Sequence, residues 1–151
     1  MVLPFTAISH SVNETRAVGA ALALSLQAGQ VLGLIGTLGM GKTELVRGLV
    51  AALNAAAPVR SPSFSLVNIY ETPNFPIYHF DFYRLKSARD LVEIGFDDYV
   101  YGAGVCMVEW ADMFDGVLPD NTIYINFFDT ADGAREIKIL NKQLFGKGSA
   151  L

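Results

Sequence analysis

At 151 residues, with 52% hydrophobic and 17% charged side chains, the chain is long enough to bury one core and too apolar for a disordered segment. Its formal net charge of -4, without a basic run, argues against a free-standing nucleic-acid binder, which would carry a basic face. A single cysteine, Cys106, excludes an intrachain disulfide and fits a reducing compartment.

In chain order, Met1 to Thr6 has neither a basic start nor a long apolar core, so it does not read as a signal peptide. No segment has the unbroken apolar length of a membrane span, and the expected location is the cytoplasm. Residues 3–9 read as a short strand. Ser11-Val12-Asn13-Glu14 is a capping box that predicts a helix from Ser11, through Val18, Leu22 and Leu26, to near Gly29. Val31 to Ile35 is an apolar run of strand length. It leads into Gly36-Thr37-Leu38-Gly39-Met40-Gly41-Lys42-Thr43, which is Gly-x4-Gly-Lys-Thr, followed by apolar residues at helical spacing from Glu44 to Leu53. Strand, glycine loop and helix together form a phosphate-binding loop (P-loop). Its glycines let backbone N–H groups converge on phosphate oxygens, and the helix N-terminus adds partial positive charge. Lys42 would reach the β- and γ-phosphates, and the Thr43 hydroxyl would ligate Mg²⁺.

Beyond Pro58, Arg60 to Ser65 is polar and turn-rich. Ser61, Ser63 and Ser65 fit either a nucleotide-sensing loop or a turn held by Pro62. Leu66 to Tyr70 and Ile77 to Tyr83 read as two strands across a short turn, an antiparallel hairpin. Residues 87–93 and 96–101 read as short helices. Residues 104–109 form a buried strand, and Thr122 to Phe127 and Arg135 to Ile139 two more. Residues 1–145 are expected to make one domain, with 146–151 a frayed tail. Strands alternating with helices around the P-loop predict an α/β fold, a three-layer P-loop NTPase-like domain with a mostly parallel sheet and one antiparallel hairpin.

A P-loop needs a second carboxylate on the metal side, at the end of a neighbouring buried strand. Val105-Cys106-Met107-Val108-Glu109 supplies four apolar residues and then an acid, which could hold Mg²⁺ or orient water. Asp81 ends a second apolar run and is either a rival for that role or a turn cap. His79, between aromatics, reads as a packed, hydrogen-bonded histidine, and His10 as solvated. Trp110 is either a wall of the site or a core tryptophan. Cys106 reads as a small buried hydrophobe.

The ordered set resembles the bacterial tRNA threonylcarbamoyladenosine biosynthesis ATPases, the TsaE type. The resemblance rests on the loop Gly36 to Thr43 and on Ser61-Pro62-Ser63-Phe64-Ser65-Leu66-Val67. It continues through His79 to Leu85, Glu93 to Tyr99 and Val108-Glu109-Trp110. It implies a weak ATPase that uses ATP and Mg²⁺ and binds the threonylcarbamoyl-transferring heterodimer, with no strong direct tRNA binding. It further implies Lys42, Asp81 and Glu109 as the catalytic set and Thr43, Glu109 and Asp81 on the metal side. The nucleotide set is Gly36, Gly39, Met40, Gly41, Lys42, Thr43 and Glu44, joined by Thr15 and Arg135. The chain departs from the family in three places. Thr37 stands where Asp is common, serines replace the switch threonines, and Glu44 replaces a second Thr, leaving only its backbone N–H as a contact. Three competing readings are weaker or inseparable. A small-molecule kinase would need a basic lid, which no Arg-rich insert supplies. A GTPase would need Asn-Lys-x-Asp, whereas the chain has Asn141-Lys142-Gln143-Leu144. A nucleotide-dependent assembly module without essential hydrolysis would use the same site.

Overall fold

The structure is a computed structural model that describes residues 1–37, 39–59 and 67–141. The sequence-predicted serine loop at 61–65 and the tail at 146–151 lie outside the described residues. Strands β1 (Phe5–Ser9), β2 (Val31–Ile35), β3 (Val67–Tyr70), β4 (Ile77–Asp81), β5 (Val105–Glu109), β6 (Ile123–Asp129) and β7 (Arg135–Leu140) form one sheet. Its order is β1-β7-β6-β2-β5-β4-β3. The central strands β6, β2, β5 and β4 run parallel. The hairpin β3–β4 is antiparallel as expected, and the opposite edge adds antiparallel pairs of β7 with β6 and β1.

Helices α1 (Val12–Ala23) and α2 (Lys42–Ala52) cover one face, and the short α3 (Arg89–Glu93) and α4 (Phe96–Val100) lie on the other. Period-two alternation assigns the side chains to those faces. Leu32, Leu34, Ile77, Met107 and Ile125 pack with Leu45, Val46 and Leu49 of α2. Val31, Ile35, Phe80, Cys106 and Val108 pack with Leu91, Phe96 and Val100. The same parity sends His79, Asp81 and Glu109 toward the α2 side, since each sits two or four residues along from Ile77 or Val105.

Helix α1 starts where the capping box predicts. The Ser11 Oγ accepts from Glu14 N at 3.1 Å, while the Glu14 carboxylate accepts from the backbone N–H of His10 instead of that of Ser11. The helix ends at Ala23, earlier than Gly29. There Ser25 folds back, its backbone N–H and hydroxyl both donating to the Leu22 carbonyl at 3.1 and 3.0 Å. The strand predicted to reach Tyr83 stops at Asp81. Its carboxylate accepts from Tyr83 N at 2.9 Å and starts a 3₁₀ turn, Phe82–Arg84.

Glycine governs how closely α1 approaches α2. A Cβ at Gly48 would lie 1.9 Å from the Arg16 carbonyl oxygen, and one at Gly19 would lie 2.1 Å from that of Leu45. This approach brings Thr15 against the P-loop: a Cβ on Gly41 would stand 3.5 Å from Thr15 Cγ2. No helix among the described residues is long and apolar enough to cross a membrane.

Candidate functional site

The C-terminal ends of the parallel strands meet the N-terminus of α2, where ligands of open α/β sheets bind. Leu34 on β2 is in register with Glu109 on β5, and Glu109 with Asp81 on β4. The two predicted acids are therefore neighbours on adjacent strands. A cavity of about 340 Å³ lies over them, lined by Gly39, Met40, Gly41, Lys42, Thr43, Glu44, Asp81, Glu109 and Trp110. Gly39 and Gly41 hold φ of +78° and +98°, backbone that side chains resist and that a phosphate cradle requires. Gly41 caps α2, so the unpaired N–H groups of the helix's first turn face this cavity.

Thr43 Oγ donates to both oxygens of Glu109, at 3.0 and 3.2 Å. Hydroxyl and carboxylate thus stand together, as a metal-side pair requires. Among the described residues no group of three or more His, Cys, Asp or Glu could hold a metal by itself. That donor set fits Mg²⁺, which takes one or two protein oxygens together with substrate phosphates and water. Asp81 is the turn cap that the sequence allowed, and it also lines the cavity beside Glu109. Burial, its largest influence, pushes its carboxyl above the usual carboxylate range, and the Tyr83 N–H opposes this.

Lys42 is buried. Its ammonium donates to the carbonyls of Gly36 and Thr37 at 2.6 and 2.9 Å and lies 4.4 Å from the centre of the Trp110 ring. Desolvation lowers its pKa, against the raising influence of Glu109, Asp81 and Asp112. Trp110 reaches this place through a left-handed backbone, φ +58°, immediately after Glu109, and its ring packs on Tyr83 at 4.8 Å between centroids. It is a wall of the site, and its contact with Lys42 is a cation–π interaction that sequence spacing does not reveal.

A second cavity of about 200 Å³ lies on the other flank of the loop. It is lined by Ser9, His10, Ser11, Val12, Thr15, Gly39, Met40, Gly41, Glu44, Gly133 and Arg135. Thr15 is buried there, its hydroxyl 2.7 Å from that of Ser9. Arg135 Nη1 donates to Asp129 at 2.8 Å, and Nη2 reaches the Gly39 carbonyl at 3.4 Å. Every predicted site residue therefore lies on one of these two cavities or in the loop between them. The Glu44 side chain is taken up by cations: Arg16 Nε at 2.7 Å and Arg47 Nη1 at 3.4 Å. Two arginines thus offset the acid that the chain carries next to Thr43. A larger cavity of about 860 Å³ behind α2, lined by Arg16 and Arg47 together with alanines from Ala17 to Ala57, shares no lining residue with the two cavities at the loop.

The family model described as threonylcarbamoyl adenosine biosynthesis protein TsaE matches residues 9–137. The chain belongs to the TsaE family. Curated relatives named tRNA threonylcarbamoyladenosine biosynthesis protein TsaE include one from Treponema pallidum. It is 38% identical over 132 residues, 87% of this chain and 97% of that protein. One from Bacillus subtilis is 36% identical over 124 residues, 82% of this chain and 77% of that protein. The crystal structure of Bacillus subtilis YdiB superposes with a TM-score of 0.76 at 31% identity, covering 94% of this chain and 88% of that one. The matched span of the TsaE model includes the P-loop, Asp81, Glu109 and Arg135, so the site described above belongs to the region shared with the family.

Proposed function

We propose that this TsaE family member binds ATP with Mg²⁺ at the P-loop and hydrolyses it slowly, as the ATP-driven subunit of tRNA threonylcarbamoyladenosine formation. It acts with the threonylcarbamoyl-transferring heterodimer. The observation that carries the reading is the Thr43–Glu109 pair at the mouth of a glycine loop, with Asp81 on the adjoining strand. The first-turn N–H groups of α2 would receive the phosphates, and Lys42 would move from the Gly36 and Thr37 carbonyls to them. Leaving two carbonyls and an aromatic face opposes that movement, which favours low intrinsic turnover. Mg²⁺, when bound, supplies charge neutralisation between the phosphates. Thr43 and Glu109 would hold it, and Asp81 would orient the attacking water. The nucleoside would occupy the smaller cavity beside Thr15 and Arg135. The acidic chain leaves tRNA contact to the partner.

The test is calorimetric ATP binding followed by turnover with and without Mg²⁺, alone and with the heterodimer. Binding, slow Mg²⁺-dependent turnover alone, and faster turnover with the heterodimer are expected. A protein that neither binds ATP nor turns it over in either setting would overturn the proposal.

A further inference from the structure

His79 is wholly buried, and its side chain has one polar partner among the described residues. Its Nε2 stands 2.6 Å from Glu109 Oε2, while Nδ1 has no hydrogen-bond partner among the described residues. Glu109 already accepts from the Thr43 hydroxyl on both oxygens, so toward His79 it is again the acceptor. The imidazole proton therefore sits on Nε2. A ring protonated on Nδ1 alone would set the Nε2 lone pair against the carboxylate, two acceptors at 2.6 Å. Phe80 and Phe82 flank this stretch from the opposite face, and the Tyr70 ring lies 6.2 Å from the imidazole on the same side of the hairpin. The ring is shut off from bulk solvent, and among the described residues its one hydrogen-bond partner is Glu109.

We propose that His79 is the positioning residue for Glu109, holding Oε2 so that Oε1 and the Thr43 hydroxyl remain the groups that meet the metal side of the nucleotide. This deepens the ATP·Mg²⁺ reading and rests on it. An outer partner of this kind commonly changes metal affinity 10–100-fold when it is removed. A histidine that only fills space would instead affect folding alone. The strand alternation explains why it sits here: His79 and Asp81 share a face of β4, so the residue two positions before the water-side acid is brought against the metal-side acid of β5.

The experiment compares ATP affinity with and without Mg²⁺, followed by Trp110 fluorescence, in the unaltered protein, His79→Gln and His79→Phe. Gln places an amide N–H where Nε2 stands; Phe keeps a ring and loses the donor. The expected result is that Mg²⁺ tightens ATP binding equally in the unaltered protein and His79→Gln. In His79→Phe that tightening falls by about tenfold or more, with metal-free ATP affinity unchanged. A His79→Phe protein with the full Mg²⁺ effect overturns the proposal and leaves the ATP reading intact. No Mg²⁺ effect in the unaltered protein removes both. Should the Phe variant not fold, proton–nitrogen NMR of the unaltered protein decides. A proton on Nε2 supports the arrangement, and an Nε2 that carries none overturns it.

Discussion

Gly48→Ala tests whether the contact of α1 with α2 is as close as the site requires. The added methyl would lie 1.9 Å from the Arg16 carbonyl oxygen, about 1.5 Å short of ordinary contact, and 2.6 Å from Arg16 Cα. These are backbone atoms, so no rotamer change relieves the clash and the helices must separate. Overpacking of this kind costs about 1–3 kcal/mol, while the higher helix propensity of alanine returns about 1 kcal/mol. A clash with backbone belongs at the upper end, giving a net loss of about 2 kcal/mol. For a chain of this length that lowers the melting temperature by about 4–8 °C. Separation also carries Thr15 away from Gly41, so ATP affinity should fall with it. Thermal unfolding and calorimetry on the same preparation measure both. A melting temperature at or above that of the unaltered protein would refute the packing argument, because at an uncrowded helix position this substitution stabilises.

Lys42→Ala should weaken ATP binding by about tenfold or more, ~1.4 kcal/mol; equal calorimetric affinities would remove Lys42 from the site. Glu109→Gln and Asp81→Asn should still bind ATP, with Mg²⁺-dependent turnover reduced by roughly tenfold or more, and unaltered turnover in both would exclude the two carboxylates. Cys106 is buried and its thiol is pushed up to about 12, so the folded protein should resist thiol reagents near neutral pH and react on unfolding. The folded thiol keeps its proton above the ordinary value of 9.0, where the unfolded chain releases it, so this contribution to stability is lost as pH rises past 9. Cys106→Val should flatten that alkaline decline in denaturant titrations, and an unchanged slope would show that the thiol does not contribute.

Local order carried most of what the sequence revealed. The glycine spacing before Lys42 and the apolar run before Glu109 each depend on neighbours in the chain, and both lie where they point. What stayed hidden is long-range. The His79–Glu109 bond spans 30 positions and the Arg16–Glu44 pair 28, so neither partner marks the other. The parity of His79 and Asp81 on one strand was the available clue, since a histidine two residues from a site acid shares its face. The left-handed backbone of Trp110, which turns its ring over Lys42, has no signature in residue type. The early end of α1 followed from a serine turning back onto the Leu22 carbonyl, where hydrophobic spacing alone suggested continuation to Leu26. The antiparallel edge of β1 and β7 joins strands from opposite ends of the chain, a pairing that alternation cannot assign.

An ATP-driven subunit works only if its partner reads the nucleotide it holds. That requires the partner to favour one nucleotide state over another. The most direct measurement is the affinity of the purified protein for the threonylcarbamoyl-transferring heterodimer with ATP and Mg²⁺, with ADP and Mg²⁺, and without nucleotide. The affinities should differ between these states, and the difference should disappear in Lys42→Ala. Identical affinities in all three states would contradict the ATP-driven role.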